Sequence, residues 1–228
     1  MKVACDRYVL FFWFCKSFCV LTFIFFLLGT TFSKVDAKDR LRLLVLGDSL
    51  TAGYGLLPQY TFPARLEARL KTKGFKVKVL NGGVSGDTSA GGKARLNWAL
   101  KEKPHYVVLE LGANDGLRGL NPNAMRSNLN AIIIRLIKAN TPVLLTGMKA
   151  PPNLGSEYIQ KFNRVFPELA EKHGILFYPF FLRGVATKQE LNLRDGIHPN
   201  KKGVEVIVDG IMPFVVRLLS KKTLNTKF

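Results

Sequence analysis

The chain has 228 residues, 47% hydrophobic and 22% charged, a composition that suits one soluble domain of ordinary size. With 34 Lys and Arg against 16 Asp and Glu it carries a formal charge of +18, which favours encounter with anionic partners such as phospholipid surfaces or acidic polymers. The basic residues are spread along the chain, and neither an RNA-binding aromatic signature nor a basic recognition helix accompanies them, so nucleic acid is not the expected partner.

Residues 1–37 differ in character from the rest of the chain. Lys2 and Arg7 precede an apolar stretch that only Lys16 interrupts, Phe18 to Leu28 runs without a charge, and a polar segment closes on Val35-Asp36-Ala37. This is the layout of a secretory signal peptide cleaved after Ala37, with the mature domain at 38–228. The alternative is an uncleaved membrane anchor over Val9–Leu28 with Lys16 snorkelling. All three cysteines, Cys5, Cys15 and Cys19, fall in this segment, so the expected exported domain has no disulfide, thiolate nucleophile or thiolate metal site. Cys19 lies in the middle of the apolar run, which argues against a lipoprotein.

Beyond residue 40, apolar runs alternate with helix-like segments. Strands are expected at Leu41–Leu46, Lys76–Leu80, Tyr106–Leu111, Val143–Thr146 and Ile175–Tyr178, short, β-branched or Leu-rich and mostly apolar on consecutive positions, as strands covered on both faces are. Helices are expected at Thr61–Lys73, Thr88–Lys101, Pro122–Ala139, Ser156–His173 and Gly203–Ser220. Pro122 suits a first turn and His173-Gly174 a helix end. Such alternation predicts an α/β fold, a parallel sheet with helices on both sides. The tail after Ser220 reads as loose, and no repeat or second domain is visible.

In a parallel sheet the segments after the strands converge on one edge, where ligands bind. Gly47-Asp48-Ser49 follows strand one, Asn81 to Asp87 follows strand two, and Gly112-Ala113-Asn114-Asp115 follows strand three. Asp195-Gly196-Ile197-His198-Pro199 lies in the loop before the last helix and can return to that edge. Ser49 is a candidate nucleophile, which needs a base and an electrophilic pocket. His198 is the candidate base, with Asp195 to hold its tautomer and stabilise its charge. His173 is better explained by a helix carboxyl end, and His105 leads into strand three on the far side of the sheet. The candidate oxyanion donors are the backbone N–H groups of Ser49 and Gly86 and the side-chain amide of Asn114.

Each feature has a plainer explanation by itself. Ser49 can cap a helix, the glycine loop can be a tight turn, Asn114 and Asp115 can make side-chain turns, and Asp195 with His198 can be a surface pair. The glycine loop matches neither the P-loop nor the dinucleotide fingerprint. Four such features at four junctions, in this order, point together to acyl transfer. Asp48 is expected to order the loop beside the nucleophile.

These blocks resemble those of the SGNH, or GDSL, hydrolase family. Gly47-Asp48-Ser49-Leu50, Gly86, Gly112-Ala113-Asn114-Asp115 and Asp195-Gly196-Ile197-His198-Pro199 match its four blocks in order. Ser85-Gly86-Asp87-Thr88-Ser89 and Asn114-Asp115-Gly116-Leu117-Arg118-Gly119 are similar to the thioesterase I/lysophospholipase L1/arylesterase group. The resemblance spans about residues 41–219. It implies a flavodoxin-like three-layer α/β/α sandwich with five parallel strands. It also implies Ser49, Asp195 and His198 as the triad, and Ser49, Gly86 and Asn114 as the oxyanion hole.

The expectation is therefore an exported serine esterase, in the bacterial periplasm, that cleaves carboxylic esters or thioesters through an acyl-enzyme, with no metal or organic cofactor. Lysophospholipid and short-to-medium acyl or aryl esters rank above acyl-CoA as substrates, with transient contact to an anionic membrane surface. Met148 to Gly155 is expected either to line an acyl channel or to serve as a proline-stiffened connection. The rivals are a deacetylase or acyltransferase acting on envelope polysaccharide and a non-catalytic envelope binding protein.

Overall fold

The computed structural model describes residues 40–220; the expected signal segment, its cysteines and the tail after Ser220 lie outside them. Five strands form one parallel sheet: β1 (Leu41–Gly47), β2 (Val77–Gly83), β3 (Tyr106–Leu109), β4 (Val143–Thr146) and β5 (Leu176–Tyr178). The spatial order is β2-β1-β3-β4-β5. Leu43–Leu46, all of β3 and all of β4 are buried, as the consecutive apolar runs require of strands covered on both faces.

Eight α-helices connect the strands among the described residues. They are α1 (Ser49–Ala52), α2 (Phe62–Thr72), α3 (Ser89–Ala94), α4 (Leu96–Ala99), α5 (Ala113–Leu117), α6 (Pro122–Lys138), α7 (Ser156–His173) and α8 (Lys201–Ser220). Helices α2 and α8 pack together on one side of the sheet, and α6 packs with α7 on the other. In α7 the buried residues Phe162, Val165, Phe166, Leu169 and Ala170 recur at helical spacing and make one continuous apolar stripe. Arg65 and Arg69 of α2 pair with Glu205 of α8, and Arg69 also reaches Asp209 at 2.5 Å. These pairs are partly exposed and contribute little beside the apolar seam beneath them.

Two expectations need correction. The segment Thr88–Lys101 is not one helix: it breaks at Arg95 into α3, α4 and a 3-10 turn at Leu100–Glu102. Gly91-Gly92 weakens its first half, and the Arg95 side chain is drawn to the Asp87 carboxylate and the Gly47 carbonyl. Strand β2 runs on through Asn81-Gly82-Gly83, which the sequence pattern places in the loop after it. Gly82 and Gly83 pair with Leu46 and Gly47, and the missing side chain at Gly83 lets α1 approach the sheet.

The chain leaves β1 toward β2 and leaves β3 toward β4, so adjacent strands send their continuations to opposite sides. That switch opens a crevice beyond the carboxyl ends of β1 and β3. Asp48-Ser49 stands at one lip and Gly112 to Asn114 at the other.

Candidate active site

The acid–imidazole pair is organised locally. Asp195 Oδ1 accepts the backbone N–H groups of Ile197 (2.9 Å) and His198 (3.0 Å), and Oδ2 lies 2.7 Å from His198 Nδ1. The loop is tied down at both ends: Leu193 N–H donates to the His198 carbonyl at 2.7 Å, and Asn200 Oδ1 accepts from Lys202 and Gly203 at the start of α8. Desolvation raises the Asp195 carboxyl, but the N–H groups of His198 and Ile197, and then the imidazole, outweigh it and hold its pKa at about 2.

The serine comes to this pair from across the fold. His198 Nε2 is 2.9 Å from Ser49 Oγ, so serine, imidazole and carboxylate lie in one hydrogen-bonded line. Ser49 opens α1, and Asp48 caps that helix by accepting the Leu50 N–H at 3.0 Å. A methyl group at Gly47 would come within 2.4 Å of Thr51 Oγ1 and 2.6 Å of Glu110 Oε2, so only glycine permits this turn.

The three donors assigned from sequence meet at the same crevice. Gly86 has φ +84°, a conformation natural to glycine, and Arg118 donates to its carbonyl at 2.9 Å. The N–H groups of Ser49 and Gly86 donate to no other described group. Asn114 Nδ2 donates to the Asp87 carbonyl at 2.9 Å and to Asp48 Oδ2 at 3.3 Å. A buried scaffold holds these segments together. Asp115 accepts the Ser89 N–H (2.7 Å) and hydroxyl (2.6 Å), and Arg95 joins Asp87 to the Gly47 carbonyl.

The other two histidines lie apart from this line. His173 Nε2 is 2.8 Å from Asn130 Oδ1, and His105 Nδ1 accepts the Arg42 N–H at 2.9 Å at the opposite end of β1.

Sequence reasoning missed two residues at this site, Tyr54 and Glu110, and gave a third, Asp48, too small a role. Tyr54, 53% exposed, lies on the His198 ring. Asp48 is fully buried and binds Asn114 as well as capping α1, a larger role than ordering a loop. Burial pushes its pKa up to about 6, against the lowering effect of the Leu50 N–H and its other partners. Glu110 is also fully buried, and burial together with the Asp48 charge drives its carboxyl well above the ordinary value. A short apolar run hides an acid of this kind, whereas an Asp beside a candidate nucleophile is a visible signal.

The segments that leave the carboxyl ends of the strands carry exposed apolar side chains: Tyr54 and Leu57 after β1, Val84 after β2, Leu117 and Leu120 after β3, and Ile197 next to His198 in sequence. A cavity of about 660 Å³ opens between the start of α6 and the start of α7, lined by residues that include Gly119, Asn121, Leu154, Gly155 and Tyr158. The loop Met148 to Gly155 thus reaches this cavity only with its last two residues.

A parallel α/β sheet with this serine–imidazole–carboxylate line at its carboxyl edge is the architecture of a hydrolase, and the chain belongs to the GDSL-like lipase/acylhydrolase family, whose sequence pattern matches residues 45–206. It is an enzyme that hydrolyses ester bonds. It is 42% identical to the esterase TesA of Pseudomonas aeruginosa over 178 residues, 78% of this chain and 89% of that protein. It is 38% identical to the thioesterase 1/protease 1/lysophospholipase L1 of Escherichia coli K12 over 190 residues, 83% of this chain and 88% of that one. The fold is similar to the psychrotrophic esterase EstA from Pseudoalteromonas sp. in its structure inhibited by monoethylphosphonate. That match has a TM-score of 0.75 and 33% identity, covering 79% of this chain and 99% of that one.

Proposed function

We propose that this protein is an exported serine esterase working through a Ser49–His198–Asp195 triad and an acyl-enzyme. The observation that carries the reading is the unbroken line from Ser49 Oγ through both imidazole nitrogens to Asp195 Oδ2, at 2.9 and 2.7 Å. With Nδ1–H donating to Asp195, Nε2 is free to accept the Ser49 proton. Ser49 Oγ attacks the ester carbonyl while the proton passes to His198 Nε2. The tetrahedral oxyanion takes hydrogen bonds from the Ser49 and Gly86 N–H groups and the Asn114 amide. His198 then gives its proton to the leaving alcohol or thiol as the carbonyl reforms. Water, deprotonated by the same imidazole, releases the acid and restores Ser49.

The exposed apolar residues on these segments suit an acyl chain or aromatic alcohol more than a bare acetyl group. A net charge of +16 on residues 38–228 favours anionic lipid surfaces for encounter. Lysophospholipid and short-to-medium acyl or aryl esters are therefore the proposed substrates, ahead of acyl-CoA, and the periplasm is the proposed location. Among the described residues no helix is long and apolar enough to cross a membrane.

A fluorophosphonate probe should label the wild type at Ser49, and Ser49→Ala should lose labelling and ester turnover together while keeping its fold. Undiminished hydrolysis by Ser49→Ala overturns the proposal. Release of acetate from envelope glycan, without cleavage of lipid esters, would replace it with the polysaccharide deacetylase reading.

A further inference from the structure

Glu110 is an acid that the reaction above does not use. It follows β3 directly, is fully buried and forms no ion pair among the described residues. Its Oε2 accepts the Asp48 backbone N–H at 3.3 Å, a side-chain hydrogen bond joins the two carboxyl groups, and its Oε1 has no partner. The groups facing this pair are the Gly47 backbone with Arg95 on its carbonyl, Thr51, the Asn114 amide, and the His198 imidazole acting through space on Asp48. Of the other acids nearby, Asp87 is spent on Arg95 and Asp115 on Ser89.

Two carboxylates in contact inside a protein cannot both be ionised, because each lacks water to screen the other. The charged form of Asp48 has donors: the Leu50 N–H on Oδ1 and the Asn114 amide on Oδ2. Glu110 has only the Asp48 N–H, and its bare Oε1 makes ionisation costly. The shared proton therefore resides on Glu110, which makes it a hydrogen-bond donor to Asp48.

We propose that Glu110 is a positioning residue for the oxyanion site: a neutral carboxylic acid that clamps Asp48 by backbone and side chain, and through Asp48 sets the Asn114 amide. The clamp grips Asp48 from below, and Asp48 in turn caps the helix that begins with Ser49. Asn114 is held by one N–H on the Asp87 carbonyl at 2.9 Å and by the other, in a longer contact, on Asp48 at 3.3 Å; the second N–H is the one the oxyanion comes to share, from an amide already oriented. This inference rests on the assignment of Asn114 to the oxyanion site.

The test is a double-mutant cycle on hydrolysis of p-nitrophenyl butyrate, with thermal melting of every variant. Glu110→Leu should lower kcat about tenfold or more with KM changed less than about threefold, since the clamp acts on the transition state. Glu110→Gln, which keeps length, neutrality and a donor, should recover most of that loss. In an Asn114→Ala background the Glu110→Leu step should cost less than about twofold, because the group through which it acts is gone. If Glu110→Leu does not fold, Glu110→Asp, which keeps the acid but withdraws it by one methylene, takes its place with the same expectations. Equal losses for Gln and Leu, or an undiminished loss in the Asn114→Ala background, overturn the clamp while leaving the oxyanion assignment intact. An Asn114→Ala variant with full kcat overturns both.

Discussion

Tyr54 lies against the imidazole of His198, with ring centroids 4.4 Å apart and planes tilted by 34°. The two residues are far apart in sequence and come from loops on different strands. In the proposed reaction an imidazolium forms each time Ser49 gives up its proton, and an aromatic face stabilises a cation by about 0.5–1 kcal/mol at exposed sites. Tyr54→Leu should therefore reduce kcat/KM roughly two- to fivefold, while Tyr54→Phe stays close to wild type. Steady-state kinetics on a soluble ester would show it, and equal losses for Leu and Phe would mean that the hydroxyl, not the face, matters.

In the proposed reaction, removing the Asn114 amide takes away one of three donors to the oxyanion. Asn114→Ala should lower kcat by roughly 10²–10³, the usual cost of one such donor, with little change in KM. A near-neutral result would exclude Asn114 from the site and leave the Gly86 and Ser49 N–H groups as its donors.

Asp115 carries both the N–H and the hydroxyl of Ser89 in the buried scaffold under Gly86. Asp115→Ala strands those donors, and each buried unsatisfied group costs about 1–3 kcal/mol. For a domain of this size each kcal/mol lowers the melting temperature by about 2–4 °C. Calorimetry should show that drop, together with a fall in kcat below the transition as the Gly86 loop loosens. An unchanged melting temperature would show that the Ser89–Asp115 contact carries no weight.

The Asp48–Glu110 pair makes stability depend on pH in a definite direction. Both carboxyls have folded pKa values above their unfolded ones. Such groups contribute stability that is fully present below the unfolded pKa and is lost as pH rises through the folded one. For Asp48 that window runs from 3.8 to about 6; for Glu110 it begins near 4.5 and extends well above it. Asp195 has the opposite sign: held at about 2, its contribution is present above 3.8 and is lost as pH falls below that, and its exposure keeps it small. Glu110→Gln removes the titrating acid, so the stability of the wild type relative to this variant should decline as pH rises above about 4.5 in denaturant melts. A constant or growing difference would show that Glu110 is ionised in the folded protein.

Leu117 and Leu120 are exposed on the segment that follows Asn114, and the proposed acyl chain runs over them. Replacing both by Ala should raise KM for an octanoyl ester by roughly tenfold, since pocket contacts of this size are worth about 1–3 kcal/mol. The acetyl ester should be far less affected. A panel of p-nitrophenyl esters, lysophospholipid and acyl-CoA would rank the substrates, and equal losses on acetyl and octanoyl esters would place the chain elsewhere.

Where sequence and structure agree, local periodicity explains it. Strand β4 and helix α7 occupy the expected residues because a short buried apolar run and an uninterrupted helical stripe each leave no competing choice. Thr88–Lys101 departs from expectation because its apolar spacing is helical, yet tertiary bonds draw Arg95 out of the helix. The apolar neighbours Leu109 and Leu111 place Glu110 within the expected strand three. Its N–H does continue the sheet to the Leu46 carbonyl at 2.8 Å, so the backbone pattern carries no sign of its side chain's partner.

By itself the sequence determined the layer architecture, the parallel sheet, and the Asp195–His198 unit, in which the bonds that Asp195 accepts close within four consecutive residues. It also marked Ser49, Gly86 and Asn114, because turns at strand ends require particular residue types. The tertiary structure alone decided that Ser49 Oγ meets His198 Nε2, that Tyr54 lies on the imidazole, and that Asp48 is buried against Glu110. Those contacts join residues 62 or more positions apart, and the order of strands in the sheet, which no local pattern encodes, brings them together.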